Sequence, residues 1–139
     1  MPNLDANIPG QALSTPQIVM LVALGAVLWF LAAIMLRALA PLGTYDGSNR
    51  ILLYALVIPG TFPFVLIARK LARLAPDQMA IALAIATAAA TLLDGLALAW
   101  FPGLYGSNTA QIAGAGAAIL WGAGVGLVMG IAMNRAGRT

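Results

Sequence analysis

The chain has 139 residues, of which 62% are hydrophobic and only 8% are charged, and its mean hydropathy is +0.95. Roughly a quarter of the residues of a soluble domain are charged, so this composition excludes a soluble globular protein and predicts a single membrane domain over residues 1–139. The formal net charge is +3, but the basic residues form no stripe with interleaved aromatics, so we expect no nucleic-acid partner.

The side chains available for chemistry are few. The sequence contains no cysteine and no histidine, and its four acidic residues are Asp5, Asp46, Asp77 and Asp94. Disulfides, thiolate and imidazole metal ligands, thiol nucleophiles and imidazole bases are therefore all excluded. We expect no metal site, no cofactor and no enzymatic activity. An enzyme that acts on a lipid or a quinone would have almost no side chains able to catalyse its reaction.

About 20 apolar residues are needed to cross the hydrocarbon core as a helix, and four segments predict such crossings. The first spans residues 18–39, with Thr15 as its N-cap and Pro16 at the first helical position. The residues before it contain no Lys or Arg, so they do not form a signal peptide and read as a lead into this helix. The fold class predicted is an all-α, integral membrane four-helix bundle.

The second predicted span covers residues 51–68 and contains Pro59, Gly60 and Pro63. Because proline removes a backbone donor and clashes with the preceding turn, we expect the helix to break or kink there. The carbonyls freed by the prolines could bind an ion or a polar substrate, or the kink could serve packing alone. The basic residues that flank both ends favour a full crossing. A re-entrant segment is the alternative.

The third predicted span covers residues 78–101, with Asp77 placed to cap its first turn. The fourth covers residues 111–133, and Asn134 marks its exit. With four crossings, two sets of basic residues fall on opposite sides of the membrane. Five lie on the side of the termini and two on the other: Arg69, Lys70, Arg73, Arg135 and Arg138 against Arg37 and Arg50. This bias predicts that both termini are cytoplasmic.

Two groups of residues are expected to meet the membrane surface. Arg69, Lys70 and Arg73 should attract anionic headgroups, and a role as a topology signal is sufficient to account for them without specific lipid recognition. Membrane lipids are thus an expected partner. On the opposite side, an aromatic interfacial belt is predicted from four residues: Tyr45, Trp100, Phe101 and Tyr105.

Asp94 is the only acidic residue in the apolar run 79–101. A charge at membrane depth costs roughly 2.5–3.5 kcal/mol on insertion scales, so it requires a partner or a function. We expect Arg37 or Arg50 to pair with it as an internal clamp. Thr87 and Thr91 precede Asp94 by seven and three positions and share its helical face, so a proton- or cation-coupled carboxylate is the alternative.

The fourth helix carries small residues at every fourth position: Gly114, Ala118, Gly122, Gly126 and Gly130. Such spacing lets two membrane helices approach closely. The sequence leaves open whether this strip packs within the chain or against another protein. Gly116 and Gly124 lie on other sides of the helix. We therefore expect one side to serve the bundle and another to serve a partner, in a homo-oligomer or a larger membrane complex.

Asp94-Gly95 and the corner Phe101-Pro102-x-x-Tyr105 precede this glycine-rich helix. In these features the second half of the chain resembles a family of small four-helix bacterial membrane proteins of unknown function. The resemblance implies a protein of the bacterial inner membrane and carries no activity with it. The chain does not resemble the small multidrug exporters, because their essential glutamate in the first helix has no acidic counterpart here.

Two functions follow from these features. The leading hypothesis is a non-enzymatic membrane protein, a structural, accessory or assembly component that packs through its glycine-rich helix. The alternative is a small transporter or ion pathway, in which Asp94 and the two threonines face a polar cavity opposite Pro59–Pro63.

Overall fold

The computed structural model describes residues 12–136, and the side chains of residues 135 and 136 are not described. The predicted N-terminal lead over residues 1–11, with Asp5, and the basic residue Arg138 lie outside the described residues. Within the described range the chain is all helical and contains no strand.

Four long helices are joined by short connections. They are α1 (Thr15–Leu39), α2 (Gly47–Leu71), α3 (Met79–Trp100) and α4 (Thr109–Ala136). The described chain thus has four helices that are long and apolar enough to cross a membrane. At 1.5 Å per residue they measure about 33 to 42 Å, against a hydrocarbon core of about 30 Å. The predicted all-α four-helix architecture is confirmed.

The N-cap of α1 lies one residue before the predicted one. Ser14 is the N-cap, and its hydroxyl accepts from the backbone N–H of Gln17, whose side chain accepts from the backbone N–H of Ser14. This is a capping box, in which two unsatisfied backbone donors are satisfied reciprocally. Thr15 and Pro16 therefore lie in the first turn, and Thr15 is not the cap as predicted.

The start of α3 also differs from the prediction. Asp77 lies in a 3₁₀ turn, Pro76–Gln78, and Gln78 rather than Asp77 is the N-cap of the helix. One donor of the first turn, the N–H of Ala80, reaches α4 instead and binds Asn134 Oδ1 at 3.3 Å. A residue expected to mark the exit of the last helix into water thus also ties α4 to α3.

Helix α2 is continuous through both prolines. Its 25 residues include Pro59 and Pro63, and no interruption divides it. The helix is therefore not interrupted at Pro59, Gly60 and Pro63, in agreement with the full crossing, and the kink expected there stays a prediction. The two prolines are four residues apart, so both missing donors fall on one side of the helix, and the hydrogen bonds elsewhere around the turn can hold it together.

Helix α2 ends in a backbone motif that usually contains glycine. Arg73 has a φ of 51°, and the N–H groups of Arg73 and Leu74 return to the carbonyls of Lys70 and Arg69 at 3.4 and 3.0 Å. This pattern is a Schellman motif with an arginine at the left-handed position. A residue with a Cβ pays about 1–2 kcal/mol for that conformation.

The helices do not pack in chain order. Helix α3 lies between α1 and α4, and α4 lies between α3 and α2. Contacts of α2 with α1 and with α3 are sparse. The bundle is therefore a ring with the order α1–α3–α4–α2, and its open side lies between α1 and α2.

Two hydrophobic cores occupy the two ends of the bundle. We call the end that carries Arg69, Lys70 and Arg73 the basic end, and the opposite end the aromatic end. The core at the aromatic end consists of nine buried residues: Ala33, Leu36, Ala40, Tyr45, Leu53, Ala97, Tyr105, Ala115 and Ala118. The core at the basic end consists of eight: Leu21, Val65, Ala68, Ala72, Leu74, Met79, Ala82 and Leu83.

The aromatic residues at the aromatic end divide into two kinds. Trp100 and Phe101 are exposed, as expected of residues at a membrane interface, with Trp100 at 69% exposure. Tyr45 and Tyr105 are buried in the core, so the prediction of a four-residue interfacial belt is wrong for these two. Both phenols bind inside the bundle: Tyr45 donates to the carbonyl of Leu36 at 3.0 Å.

Candidate functional site

The carboxylate of Asp94 lies inside the bundle and binds a phenol. Asp94 is 8% exposed, and Tyr105, which is fully buried, donates its O–H to Asp94 Oδ1 at 2.6 Å. The short distance is that of a hydrogen bond to a charged acceptor. The bond joins α3 to the connection that leads into α4.

A third residue fixes the direction of this hydrogen-bond chain. Trp29 of α1 donates its indole Nε1–H to the Tyr105 oxygen at 3.0 Å. Because an indole nitrogen can only donate, the phenol accepts from Trp29 and its own hydrogen is directed to Asp94. Three segments distant in sequence therefore meet in one chain of donors that ends on the carboxylate.

The local sequence turns Tyr105 back into the bundle. After α3 ends, Pro102–Leu104 forms a 3₁₀ turn. It is closed by hydrogen bonds from Leu104 N to the Phe101 carbonyl at 2.9 Å and from Tyr105 N to the Pro102 carbonyl at 3.0 Å.

Burial, together with the hydrogen bond to Asp94, raises the pKa of the Tyr105 phenol well above its ordinary value.

Neither arginine that was expected to neutralise Asp94 reaches it. Arg37 and Arg50 are both exposed, and within residues 12–136 no ion pair joins either of them to Asp94. Arg50 does not reach Asp94 because its helix, α2, makes only sparse contact with α3. The clamp formed by Asp94 with Arg37 or Arg50 is therefore corrected to a bond with Tyr105.

The second oxygen of Asp94 has no hydrogen-bond partner among the described residues. The only hydrogen bond found for this side chain in the described part of the chain is the one to Oδ1. Every fully buried side-chain nitrogen or oxygen there has a partner, so Oδ2 must keep some accessible surface. The protein thus satisfies one oxygen and leaves the other able to accept from something else.

The two predicted polar residues of α3 lie below Asp94 on the same helix. Thr91 donates its hydroxyl to the Thr87 carbonyl at 2.8 Å, and on α2 Thr61 donates likewise to the Val57 carbonyl at 2.7 Å. A Cβ built on Gly126 would lie 3.7 Å from Thr87 Oγ1 and 4.0 Å from Thr61 Cγ2. The structure therefore brings Thr87 close to the Pro59–Pro63 segment, across Gly126.

The glycine strip of α4 faces the inside of the bundle. A Cβ at Gly122 would lie 3.8 Å from Val57 of α2, and a Cβ at Gly130 would lie 3.0 Å from the Leu83 Cβ of α3. Further along the strip, a Cβ at Gly114 would overlap the ring of Tyr45. With Ala118 buried in the aromatic-end core, all five strip positions pack within the chain.

The opposite side of α4 is open. A Cβ at Gly124 would meet no described atom within 4 Å, whereas a Cβ at Gly116 would be in van der Waals contact with Leu98 of α3, at 3.9 Å. Around Gly124 this outer side carries exposed residues at helical spacing, namely Ala113, Ala117, Leu120, Val128 and Ile131. The two sides of the helix that the sequence distinguishes are thus an inner and an outer one.

A polar cluster at the basic end has no counterpart in the sequence predictions. Gln17 Nε2 donates to the carbonyls of Ala72 and Arg73 at 3.1 and 3.3 Å and to Gln78 Oε1 at 3.3 Å. Gln78 Oε1 also accepts from Ala75 N at 2.9 Å. Gln17 follows the N-cap Ser14 by three residues, a capping-box signal present in the sequence, whereas Ala75, three residues before Gln78, has no side-chain acceptor and gives no such signal.

Trp121 forms a second unpredicted contact, between α4 and α2. Its indole stacks on Tyr54 with ring centroids 5.3 Å apart, and its Nε1 donates to the Tyr54 carbonyl at 3.0 Å. No sequence motif marks this pair, because two aromatics 67 positions apart become neighbours only when the helix order is known.

The described residues contain no group of three or more His, Cys, Asp or Glu side chains that could hold a metal ion. What the site offers is one carboxylate in a hydrogen-bond chain, with hydroxyl groups one and two turns away. No protein-family model, curated protein or solved structure matches this chain.

Proposed function

We propose that this chain is a non-enzymatic integral membrane protein, a structural, accessory or assembly component of the bacterial cytoplasmic membrane with both termini in the cytoplasm. Its polar side chains are used mainly as internal ties. Trp29, Tyr105 and Asp94 join three segments at one end, and Gln17 with Gln78 joins two at the other. These internal hydrogen bonds support a structural role rather than a catalytic one.

The observation that carries this proposal is the division of α4 into two sides. The inner side is filled by α2, α3 and Tyr45, whereas the outer side around Gly124 has no neighbour in the described chain. Small residues on a lipid-facing surface let a second helix approach closely enough for dispersion contacts and Cα–H hydrogen bonds. We propose that the outer side of α4 packs against a second copy or a subunit of a larger complex.

Two leucine substitutions on the same helix test this assignment. Gly124→Leu should leave the unfolding transition in detergent close to that of the parent and reduce self-association or complex formation. Gly126→Leu places the same bulk against Thr87 and Thr61 and should lower stability instead. Native mass spectrometry in mild detergent and cross-linking in membranes measure the association. If Gly124→Leu assembles as the parent does, the proposed surface is wrong.

A second candidate function is a small transporter or ion pathway. It is favoured by Asp94, whose carboxylate binds a phenol rather than a guanidinium and whose Oδ2 has no partner within residues 12–136. Under this function Asp94→Asn should abolish pH-dependent flux in proteoliposomes while the bundle stays folded. Under the structural function the same variant changes stability or assembly and there is no flux to lose.

A further inference from the structure

Helix α2 contains two backbone carbonyls that have no helical donor. In an α-helix each carbonyl accepts from the N–H four residues later, and Pro59 and Pro63 have no N–H. The carbonyls of Ala55 and Pro59 therefore lack their helical partners. No described side chain donates to either of them, and the nearby hydroxyl of Thr61 donates to the carbonyl of Val57 instead, at 2.7 Å.

These two carbonyls lie on the side of α2 that faces away from the other helices. The side that packs within the bundle is marked by Leu53 and Val65, which are buried, and by Val57, which lies beside α4. Five residues at helical spacing occupy the opposite side, and all five are exposed: Leu52, Ala55, Pro59, Pro63 and Leu66. We call them the proline side of α2. Because a helical carbonyl points toward the residue four positions later, both carbonyls without a donor lie within this exposed side.

The depth of the two carbonyls makes their missing donors costly. Pro59 is the middle residue of α2, so it lies about 18 Å from either end of the helix at 1.5 Å per residue. A backbone carbonyl at the centre of a bilayer has no water to bind, and leaving it without a donor in hydrocarbon is unfavourable. The proline side therefore requires hydrogen-bond donors that approach from the lipid.

A second copy of this chain does not supply those donors. In a two-fold contact between copies of the same topology, the proline side meets itself, and it offers acceptors only. The hydrophobic interior of the four helices covers residues 18–36, 51–68, 79–99 and 112–133. Within it, the only exposed side chain with a donor is Trp121, whose N–H is already given to the Tyr54 carbonyl at 3.0 Å. The donors must come from another molecule.

The shape and spacing of the proline side favour a helix over a small molecule. The surface of a single helix is convex, so it does not enclose a small ligand. Alanine and proline have short side chains, which let the backbone of a second helix approach closely. The two carbonyls are four residues apart, about 6 Å along the axis, which is also the separation of side chains four residues apart on that second helix.

We propose that the proline side of α2 binds a transmembrane helix of a different protein. That helix carries two donor side chains, such as asparagine or serine, four residues apart at the middle of the membrane, and they bind the carbonyls of Ala55 and Pro59. The inference rests on the proposed function as an assembly component. It adds a second contact surface to the outer side of α4.

Synthetic transmembrane peptides supply the test. One is a polyleucine helix with two asparagines four residues apart at its centre, and its matched control has leucine at both positions. Energy transfer in phosphatidylcholine vesicles measures the binding of dilute peptide to the full-length protein, labelled at Gly103→Cys, an exposed position in a chain without cysteine. Peptide-only vesicles give the background of self-association. The asparagine peptide should bind saturably and about tenfold more tightly than the leucine peptide. Equal binding of the two overturns the proposal.

Proline variants assign this preference to the carbonyls. The double variant Pro59→Ala, Pro63→Ala returns both backbone N–H groups, so the preference for asparagine should fall below about twofold. Pro16→Ala is the matched control, because Pro16 lies in the first turn of α1, where a backbone N–H has no carbonyl partner within the helix. This control should keep the full preference. A double variant that also keeps it overturns the proposal.

A third measurement needs no proline variant. A diazirine-bearing leucine beside the asparagines of the peptide is photoactivated on the parent protein, and the labelled residues are mapped by mass spectrometry. Labels on the proline side support the proposal, and labels confined to the outer side of α4 overturn it. Gly124→Leu separates this inference from the proposed function, because it should reduce assembly through α4 and keep the asparagine preference. Either surface can therefore fail while the other stands.

Discussion

Tyr105 donates its phenolic hydrogen to Asp94 over 2.6 Å, across eleven positions of sequence. The corner after α3 is thereby fastened to the interior face of the same helix, and the indole of Trp29 fastens α1 to both. Since the phenol accepts one bond and donates another, removing its oxygen disconnects three segments at once.

The first prediction concerns this oxygen. Tyr105→Phe keeps the ring in the core and deletes both hydrogen bonds, leaving the Asp94 carboxylate and the Trp29 N–H without their partner. We expect a loss of about 1–3 kcal/mol in the free energy of unfolding, because a buried polar group without a hydrogen-bond partner keeps the full cost of its desolvation. SDS-induced unfolding in mixed micelles measures it.

Tyr54→Phe is the matched control for this substitution. The Tyr54 ring stacks on Trp121, but its hydroxyl makes no hydrogen bond within the described chain. Its removal should change stability by less than about 0.5 kcal/mol. Equal losses in the two variants would show that the bond to Asp94 contributes nothing of its own.

The second prediction concerns alkaline pH. Burial raises the pKa of both the Tyr105 and the Tyr45 phenols above 10.0, the ordinary value for tyrosine. The folded protein therefore holds these protons more tightly than the unfolded chain does. The contribution of these two phenols to the free energy of unfolding is complete below a pH of about 10. It decreases as the pH rises from there toward their folded-state pKa values.

Unfolding midpoints measured between about pH 8 and pH 11.5 should show this decrease, and in a Tyr54→Phe background absorbance near 295 nm should show tyrosinate forming only as the protein unfolds. Tyr105→Phe should make the decrease shallower, because one of the two buried phenols is gone. A midpoint that stays constant through this range would contradict the assigned burial.

The third prediction concerns the contact between α1 and α3. A Cβ added to Gly25 would overlap the carbonyl oxygen of Ala86 and lie 3.0 Å from the Ala89 Cβ. Because the obstacle is backbone, the helices themselves must separate, so Gly25→Ala should destabilise the protein by about 1–3 kcal/mol despite the better helix propensity of alanine.

Gly95→Ala provides the comparison. Gly95 lies in the interior of α3 with nothing within 4 Å of its absent side chain, so alanine should leave stability equal or raise it by about 0.5–1 kcal/mol. Thermal unfolding of the two variants in the same detergent decides the point. The prediction fails if Gly25→Ala is as stable as Gly95→Ala.

The fourth prediction concerns the end of α2. Arg73→Gly removes the penalty of a left-handed backbone at φ 51°, whereas Arg73→Ala loses the same charge and keeps the Cβ. We expect the glycine variant to be more stable than the alanine variant by about 1 kcal/mol. Equilibrium unfolding of the pair measures this difference directly, and a more stable alanine variant would contradict it.

Much of the secondary structure was predictable because apolar runs in this chain are long and their ends are marked by polar or turn residues. The two ends of each predicted span lie within about four residues of the ends of an observed helix. The largest difference is in α2, which begins at Gly47 rather than at residue 51. Its first turn, Gly47-Ser48-Asn49-Arg50, is polar, so hydropathy alone places it outside the helix.

The partner of Asp94 was not predictable by the same means. Charge complementarity points to Arg37 and Arg50, and it takes the helix order to show that α2 is not beside α3. Tyr105 lies in the Phe-Pro-x-x-Tyr corner that stands out in the sequence, yet its position next to Trp100 and Phe101 suggests an interface. Only the 3₁₀ turn that begins at Pro102 reveals that the ring of Tyr105 points inward.

The ring order α1–α3–α4–α2 has a consequence for how the protein is made. The first two helices emerge from the ribosome together, but neither is the main packing partner of the other. Helix α1 must wait for α3, and α2 must wait for α4, which is synthesised last. A chain that stops before Thr109 would leave the surface of α2 that contacts α4 uncovered. Formation of α4 is therefore the step at which α2 gains its main packing partner.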